Sequence, residues 1–551
     1  MRKGVVLVWL VMLFCTGITG CNKKEGGTTE AYNSKKPLTI SVFTIQQKQQ
    51  PPADNKIYKW IKEKYNVDFT WDILVGDKDQ KIGVLIASGD YPDLVEVDST
   101  KFQDAGALIP LEDLIEKYGP NIKKHYASAW KKMTEDDGHI YCLPNWGVLD
   151  GRDQSTYYGD SALWIQKDVL KEFGYPQVKT VDEYFDLIEK YVKKYPAING
   201  MPTIPFTILT YDWHDFCLIN PPNFCAGYPN DGNGTVDKID GKWTYRDFLN
   251  QDISKRWFRK LCEENAKGII DKSCFVDNYD QYIAKLSSGR VLGMHDQRWQ
   301  FNDAMNALDV AKMHDRTMAP LPVVFDESIT PHYRNRSLPN IRRGFGITTK
   351  CKDPVRVIRF IDAQLDEETQ RVLHWGIEGE DWQYDADHHP YRTQEQRDEQ
   401  KDAAWILRNK ADLWYQTAPK MEGSFSDGYA CEMNYIPSEF LADQKTEDVE
   451  LWKAYGVSSD AELMDRDPPE NTPWFPMWQE VPPDGSETQL ALNKCSQAYR
   501  KYLPRIIMGK PEDFEKNWTE YAKALDDAQI DKYNAFMQEK LDARIEKYGS
   551  K

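Results

Sequence analysis

The order of strand-like and helix-like segments after residue 36 is the feature that most constrains the fold. The first segment is rich in β-branched residues, as is typical of a strand: PLTISVFTI. A run with apolar residues at helical spacing follows, KIYKWIKEKYNV, and then a second strand-like run, DFTWDILV. The next stretch adds an amphipathic helix, a Gly-Asp turn and a third strand: DQKIGVLIASGDYPDLVEVD. Strands that alternate with helices form sheets covered by helices, so the sequence predicts an α/β lobe.

Later segments favour helices. In TVDEYFDLIEKYVKKYP, Thr180 and Glu183 have the spacing of a capping box, which predicts a helix that begins after Thr180. The C-terminal region is predicted to be mostly helical, as in PEDFEKNWTEYAKALDDAQIDKYNAFMQEKLDARIEKYG.

The N-terminus has the features of an export signal. Arg2 and Lys3 precede GVVLVWLVMLF, an apolar run too short to span a bilayer as a mature helix. The following ITGC resembles the bacterial lipobox, which implies that residues 1–20 are removed and that Cys21 is acylated. An ordinary secretory signal is the alternative. Residues 21–36 have no periodicity, so we expect a flexible tether between a lipid anchor and the body.

Charge and aromatic content narrow the classes of partner. The formal net charge is −17, and loss of the two basic signal residues makes the mature chain more acidic still. Such a body is a poor match for nucleic acid or an anionic membrane surface. The chain also contains 18 Trp and 30 Tyr, more flat amphipathic rings than a core of this size requires. Part of this surplus is expected to stack on a ligand.

Cysteine usage gives no metal signature. Apart from Cys15 and Cys21, the chain carries eight cysteines, and none forms a CxxC pair. An exported protein can form bridges, and Cys217 with Cys225 or Cys262 with Cys274 are the nearest pairs along the chain. Buried thiols are the alternative.

Five motifs in order resemble a known family. They are LIASGDYPDLVEVD, DGHIYCLPNWG, LWIQKDVLKEFGYPQVKTVDEY, WGIEGEDWQYD and IMGKPEDFEKNWTEYAKAL. Together they are similar to family 1 extracellular solute-binding proteins, the capture subunits of ABC importers, in their large-lipoprotein and alginate-binding branch. Gln166 stands where the family usually has Arg.

The resemblance implies a two-lobed α/β fold of the type II periplasmic-binding-protein kind, with a ligand cleft that closes by hinge motion and a helical C-terminal region. It implies a monomer that serves a permease. Crossings between lobes are expected near residues 145–155, 325–335 and 390–400. The expected lobe boundaries are 37–150 and 329–395 for the first lobe, and 151–328 and 396–551 for the second.

The stretch RVLHWGIEGEDWQYDADHHP, residues 371–390, allows two functions. Paired carboxylates among Glu378, Glu380 and Asp381 could supply the acid and base of a glycoside hydrolase. Alternatively, the resemblance places the motif at the cleft, where Trp375 would stack on a sugar and Glu378 would accept hydrogen bonds from hydroxyls. No second carboxylate in an enzymatic context and no nucleophile motif accompany it, so binding is favoured and no catalytic residue is predicted. Glu378 could also be structural.

Other candidate ligand contacts lie in loops. Trp146 stands between Pro144 and Gly147 in the first crossing and is predicted to stack on the ligand. Asp296 and Trp299 follow a strand where the family tends to contact ligands, although Trp299 could instead be core. Arg342 could offer a bidentate fork to hydroxyls or a uronate, or form a hinge salt bridge.

The segment PNDGNGTVDKIDG has the spacing of an EF-type calcium loop. The expected ligands are Asp231, Asn233, Thr235, Asp237 and Asp240. Pro229 stands at the first position in place of a carboxylate, and Lys238 departs from the branch pattern, so a polar Asn-Gly turn is the alternative. No cofactor is otherwise expected.

The sequence therefore predicts a lipid-anchored extracytoplasmic protein that captures an oligosaccharide for an ABC permease. A cell-surface glycan hydrolase, or the same fold with a peptide or signalling ligand, are the alternatives.

Overall fold

A computed structural model describes residues 35–97, 100–147, 156, 158–247, 249–336, 338–341, 343–464 and 468–549. The strands fall into two main sheets and three hairpins. They are β1 (Leu38–Thr44), β2 (Val67–Ile73), β3 (Leu94–Val97), β4 (Leu143–Pro144), β5 (Ser161–Gln166), β6 (Ala197–Ile198), β7 (Met201–Pro202), β8 (Ile204–Thr207), β9 (Gly234–Ile239), β10 (Lys242–Asp247), β11 (Val291–Gln297), β12 (Met318–Leu321), β13 (Gly344–Ile347), β14 (Gln383–Tyr384) and β15 (Pro390–Tyr391).

Helices cover the sheets and dominate the C-terminal third. They are α1 (Lys56–Tyr65), α2 (Lys78–Ser88), α3 (Lys101–Asp104), α4 (Glu112–Tyr118), α5 (Pro120–His125), α6 (Trp130–Met133), α7 (Lys167–Glu172), α8 (Val181–Lys194), α9 (Phe216–Ile219), α10 (Pro221–Cys225), α11 (Asp252–Ala266), α12 (Tyr279–Ser287), α13 (Arg298–Val310), α14 (Pro354–Gln364), α15 (Glu367–Trp375), α16 (Gln394–Glu399), α17 (Ala403–Asn409), α18 (Asp412–Thr417), α19 (Pro437–Ala442), α20 (Thr446–Tyr455), α21 (Asp460–Met464), α22 (Glu487–Ile507), α23 (Phe514–Asp527) and α24 (Ile530–Tyr548). The predicted capping box at the start of α8 is confirmed, with Thr180 and Glu183 satisfying each other's backbone N–H groups.

The first sheet has the order β2-β1-β3-β13-β4 and forms the centre of the first lobe. β1 runs parallel to β2 and β3, whereas β13 runs antiparallel to β3 and β4. Ile40 and Val42 of β1 and the apolar side chains of β13 are fully buried against α1, α4 and α14, and Phe43 of β1 is buried against α2 and α3. Burial on both faces explains why these strands are short apolar runs without strict alternation.

The second sheet has the order β12-β5-β11-β8 and forms the centre of the second lobe. β11 runs parallel to β8 and antiparallel to β5. All six residues of β5 are buried, between α8 on one side and α13 on the other. The C-terminal helices α22, α23 and α24 extend this core.

Two crossings join facing edges of the sheets. The first leaves β4 after Pro144 and enters β5 at Ser161, and the second leaves β12 after Leu321 and enters β13 at Gly344. Leu321 pairs near the start of β5, and Gly344 pairs with Pro144, so both crossings connect the same two edges. We propose that these edges border the ligand cleft, and we refer to them below as the cleft edges.

We propose that the return to the second lobe lies later than the predicted boundary at residue 395. Ala411, Trp414 and Ala418 pack in the core of the first lobe, where the Trp414 indole N–H donates to Gln364 Oε1 at 2.7 Å. Leu451 is the first later residue of the buried core of the second lobe. We therefore propose that the third crossing lies near α19, because Ala418 still packs in the core of the first lobe and Leu451 packs in that of the second.

All eight body cysteines are free, and six of them are buried. Within the described residues, no helix is long and apolar enough to cross a membrane.

Candidate ligand-binding cleft

Two indoles stand together at the cleft edge of the second lobe. Trp299 lies in the first turn of α13, directly after β11, and Trp213 lies in a 3₁₀ turn that follows β8. Because β8 and β11 are parallel neighbours, both segments leave the sheet at the same edge. The pairing of Gln297 with Ser161, at the start of β5, places this edge at the first crossing.

The two indoles form an exposed aromatic surface. The ring centroids of Trp213 and Trp299 are 6.0 Å apart with an interplanar angle of 9°. Their side chains remain 54% and 51% exposed, respectively. His214 stacks beneath Trp213, and the Trp299 indole N–H donates to Gln297 Oε1. Two parallel rings that are each about half exposed suit stacking on the apolar face of a sugar ring.

Trp146 occupies the opposite cleft edge. It follows β4 and is 36% exposed. Next to it, Gly147 has φ +114°, and a Cβ there would lie 2.5 Å from Pro339 Cα in the second crossing. The Gly147 N–H donates to Glu422 Oε2 at 2.6 Å. Among the tryptophans of the described residues, only Trp146, Trp213 and Trp299 are exposed, and all three lie at cleft edges.

A buried carboxylate organises the cleft edge of the first lobe. Glu96 accepts from Thr44 Oγ1 at 2.6 Å, Gln46 Nε2 at 2.7 Å and the Ile45 N–H at 3.0 Å. Burial raises the pKa of Glu96, and these donors oppose the shift. Arg343 Nη2 lies 4.0 Å from Glu96 Oε1 and its side chain is 40% exposed. Arg343 thus adds a cation at the base of this edge.

Comparison with known proteins identifies the family. The model of the bacterial extracellular solute-binding proteins matches residues 56–375, more than half of the chain. The chain belongs to this family.

Curated relatives of this solute-binding protein include two bacterial examples. The fructooligosaccharide ABC transporter substrate-binding protein FusA of Streptococcus pneumoniae is 28% identical over 376 residues, which are 65% of this chain and 66% of FusA. That alignment spans just under two thirds of FusA. The lipoprotein LipO of Bacillus subtilis is 21% identical over 406 residues, 68% of this chain and 73% of LipO.

Solved structures share the fold. The alginate-binding protein AlgQ2, solved without calcium ion, has a TM-score of 0.62 at 18% identity, over 93% of this chain and 99% of its own. An EF-hand mutant of FusA in complex with fructo-nystose has a TM-score of 0.61 at 22% identity, over 92% and 99%. These neighbours are periplasmic solute-binding proteins, and the two-lobed α/β fold is confirmed.

Asp296, predicted as a ligand contact, has no exposed surface in this solute-binding protein. Its carboxylate accepts from Tyr282, Gln297, Gln300 and Cys217. All four of these hydrogen bonds are made inside the second lobe, because the Asp296 side chain points from β11 into the core. We therefore expect no direct contact between Asp296 and a ligand.

Trp375 is also part of the core. It is 1% exposed, its ring packs edge-on against Trp382 and Phe425, and its indole N–H donates to Cys431 O at 2.8 Å. No face of this ring is open to a sugar. The apolar residues that bury it come from segments after residue 380, which the motif itself does not reveal.

Glu378 is exposed, and it lies in a tight turn held by a neighbouring carboxylate. Asp381 accepts from the Ile377 N–H at 2.8 Å and from Lys56 Nζ at 2.6 Å. Gly376 has φ +93°, and a Cβ there would lie 2.3 Å from Asp381 Oδ2, so the turn requires glycine. Glu378 remains a candidate contact. Arg342 and Cys21 lie outside the described residues.

Trp213 is a candidate contact that the sequence did not predict. It lies in YDWHDF, six residues after β8 ends. What places it at the cleft is the parallel pairing of β8 with β11, which a sequence does not display.

The predicted calcium site is not formed by its five residues. Thr235 and Asp237 lie in β9, and Asp240 lies in the turn between β9 and β10 with φ +49°. A strand rises about 3.3 Å per residue, so the residues of β9 are spread over about 17 Å. The ligands of one calcium ion must all lie about 2.3–2.6 Å from it, which an extended strand does not allow. Asp231 is buried and accepts from the Met477 N–H at 2.9 Å. Among the described residues, no group of three or more His, Cys, Asp or Glu side chains could hold a metal ion.

We expect Asp231→Asn to stabilise the protein at pH 8. Burial raises the pKa of Asp231 to about 7, above its ordinary value near 4. The unfolded chain therefore ionises first, and stability from this group falls as pH rises from about 4 to about 7. An uncharged amide avoids the buried charge, so the unfolding free energy at pH 8 should rise by about 1–3 kcal/mol. At pH 4 the two proteins should unfold alike in urea. A variant that unfolds more easily at pH 8, together with stabilisation of the parent by calcium chloride, would restore the calcium interpretation.

Proposed function

We propose that this solute-binding protein captures an oligosaccharide at the cleft edges and delivers it to an ABC permease. The observation that carries the proposal is the placement of Trp146, Trp213 and Trp299, the exposed tryptophans of the described residues. The substrate-binding function of FusA, and its name, support a carbohydrate ligand. Rings would stack on apolar sugar faces while polar groups near Glu96 and Arg343 bond hydroxyls.

The proposed mechanism is binding without turnover. Two buried carboxylates near the cleft edges are fully hydrogen-bonded: Glu96 accepts three hydrogen bonds within the first lobe, and Asp296 accepts four within the second. A glycosidase needs two carboxylates that are free to flank the scissile bond, whereas these two are hydrogen-bonded within their own lobes. The relatives FusA and LipO are a substrate-binding protein and a lipoprotein.

The test is a thermal-shift screen of residues 22–551 against oligosaccharides, with peptides as controls. A ligand at one hundred times its Kd should add about 2.7 kcal/mol and raise the unfolding midpoint. We expect a rise with a defined glycan, which chromatography then recovers intact. Consumption of the glycan would replace the binding function by a hydrolase, and a shift with peptides alone would replace the ligand class.

We also propose that Cys21 anchors a monomeric body to the outer face of the membrane. Support comes from the lipobox-like ITGC and from the relationship to LipO. Two or more acyl chains hold a protein on a bilayer, whereas one chain binds reversibly. In the native host, Cys21→Ser is expected to move the protein from the membrane fraction to the medium. Retention of the variant in the membrane fraction would contradict the anchor.

A further inference from the structure

The Asp296 carboxylate joins segments that are distant in sequence. Tyr282 in α12 donates to Oδ2 at 2.6 Å. Oδ1 accepts from the Gln297 N–H at 2.6 Å, from Gln300 Nε2 at 2.5 Å and from Cys217 Sγ at 3.3 Å. The side chain is fully buried and makes no contact that a ligand could replace.

The Oδ1 bonds lead to both exposed indoles of the second lobe. Gln297 and Gln300 flank Trp299, and the Gln297 side chain accepts from the Trp299 indole N–H. Cys217 lies in α9, which continues directly from the 3₁₀ turn that carries Trp213. Gln300 Nε2 also lies 3.5 Å from Cys217 Sγ, so the two segments meet at this carboxylate.

The other oxygen of Asp296, Oδ2, bonds to the core of the lobe. Tyr282 lies on α12 and is buried in the same core cluster as the inner face of α13, and its hydroxyl donates to Oδ2, not to the oxygen that accepts from Gln297, Gln300 and Cys217. Its hydroxyl also lies 3.1 Å from Met294 Sδ. One oxygen of Asp296 therefore serves the indole pair and the other serves the core behind it.

We propose that Asp296 is a positioning residue that holds Trp213 and Trp299 parallel and thereby sets the affinity of the cleft for its sugar. The effect on affinity rests on the proposed function, but the effect on the ring geometry does not. A carboxylate suits this role because a single oxygen can accept from three donors that approach from two segments.

The ring geometry has its own spectroscopic signature. Two indoles at close range couple their transitions, so the pair should give an exciton couplet in circular dichroism without any ligand. Trp375 with Trp382 and Trp243 with Trp474 also form close indole pairs, so the couplet of Trp213 with Trp299 is measured as the difference between the parent spectrum and the spectra of Trp213→Phe and Trp299→Phe. The measurement thus reports the indole pair even where no sugar has been identified.

Asp296→Ala is expected to remove at least half of the couplet and to weaken sugar binding about tenfold. Asp296→Asn should rescue both, because its Oδ1 still accepts from the three donors while its amide faces the Tyr282 hydroxyl. Tyr282→Phe is the matched control: it removes an equally buried bond to the same carboxylate but only at Oδ2, and it should keep the couplet. Gln300→Met, which keeps the core volume, should lose part of the couplet if Asp296→Ala does not fold.

An unchanged couplet in folded Asp296→Ala and Gln300→Met would overturn the proposal. Equal losses in Tyr282→Phe and Asp296→Ala would overturn it too, because a general loosening of the lobe would then explain both. A couplet that responds as expected in a protein that binds no glycan would retain the positioning role and reject the proposed function.

Discussion

Gly344→Ala is expected to destabilise the first lobe by about 3–5 kcal/mol. Gly344 has φ +153°, which side chains rarely adopt, and a Cβ there would lie 1.9 Å from Leu143 O. Backbone strain of this kind costs on the order of 1–3 kcal/mol, and overpacking adds about as much. Gly344 occupies a central position in the first sheet, since β13 lies between β3 and β4. Both crossings also start or end at the pair of Gly344 with Pro144.

Urea unfolding followed by tryptophan fluorescence measures this loss. Gly83→Ala in α2 is the matched control, because a Cβ there meets nothing within 4 Å and the backbone is helical. That substitution should stabilise the helix by about 0.5–1 kcal/mol. If Gly344→Ala unfolds at the same urea concentration as the parent, the close approach of β13 to β4 does not exist in solution.

Trp299→Ala and Trp213→Ala are each expected to weaken oligosaccharide binding about thirtyfold. Loss of a tryptophan at the centre of a binding surface costs about 2 kcal/mol or more, and 1.4 kcal/mol corresponds to a factor of ten in Kd. Stability should change little, because both rings are more than half exposed. The double variant should lose less than the sum of the single losses, since each ring supports the other at 6.0 Å.

Calorimetric titration with the glycan found in the screen measures these affinities. Trp60→Ala on α1 provides the control, because that ring is partly exposed and packs on Tyr65 and Lys64 in the first lobe, away from the indole pair. We expect its Kd to stay within about twofold of the parent. Unchanged affinity in both cleft variants would remove the indoles from the site.

The sequence by itself determined the elements and their order. Alternation of β-branched runs with 3.6-residue periodicity predicted the α/β lobe, and Thr180 with Glu183 predicted the start of α8, because these signals are local. The loop at Trp146 was also predictable, since Pro144 and Gly147 limit regular structure on either side of it. Motif order along the chain led to the correct family.

Tertiary structure alone decided which polar and aromatic side chains face the cleft. Asp296 and Trp299 are three residues apart, yet one is fully buried and the other is half exposed. The difference depends on Tyr282 and Cys217, which the fold brings to Asp296 from other segments. Trp213 joined the site only through the parallel pairing of β8 with β11. A sequence pattern shows which residues are apolar. Whether a residue is buried depends on neighbours that come from distant parts of the chain, and only the tertiary structure brings those neighbours together.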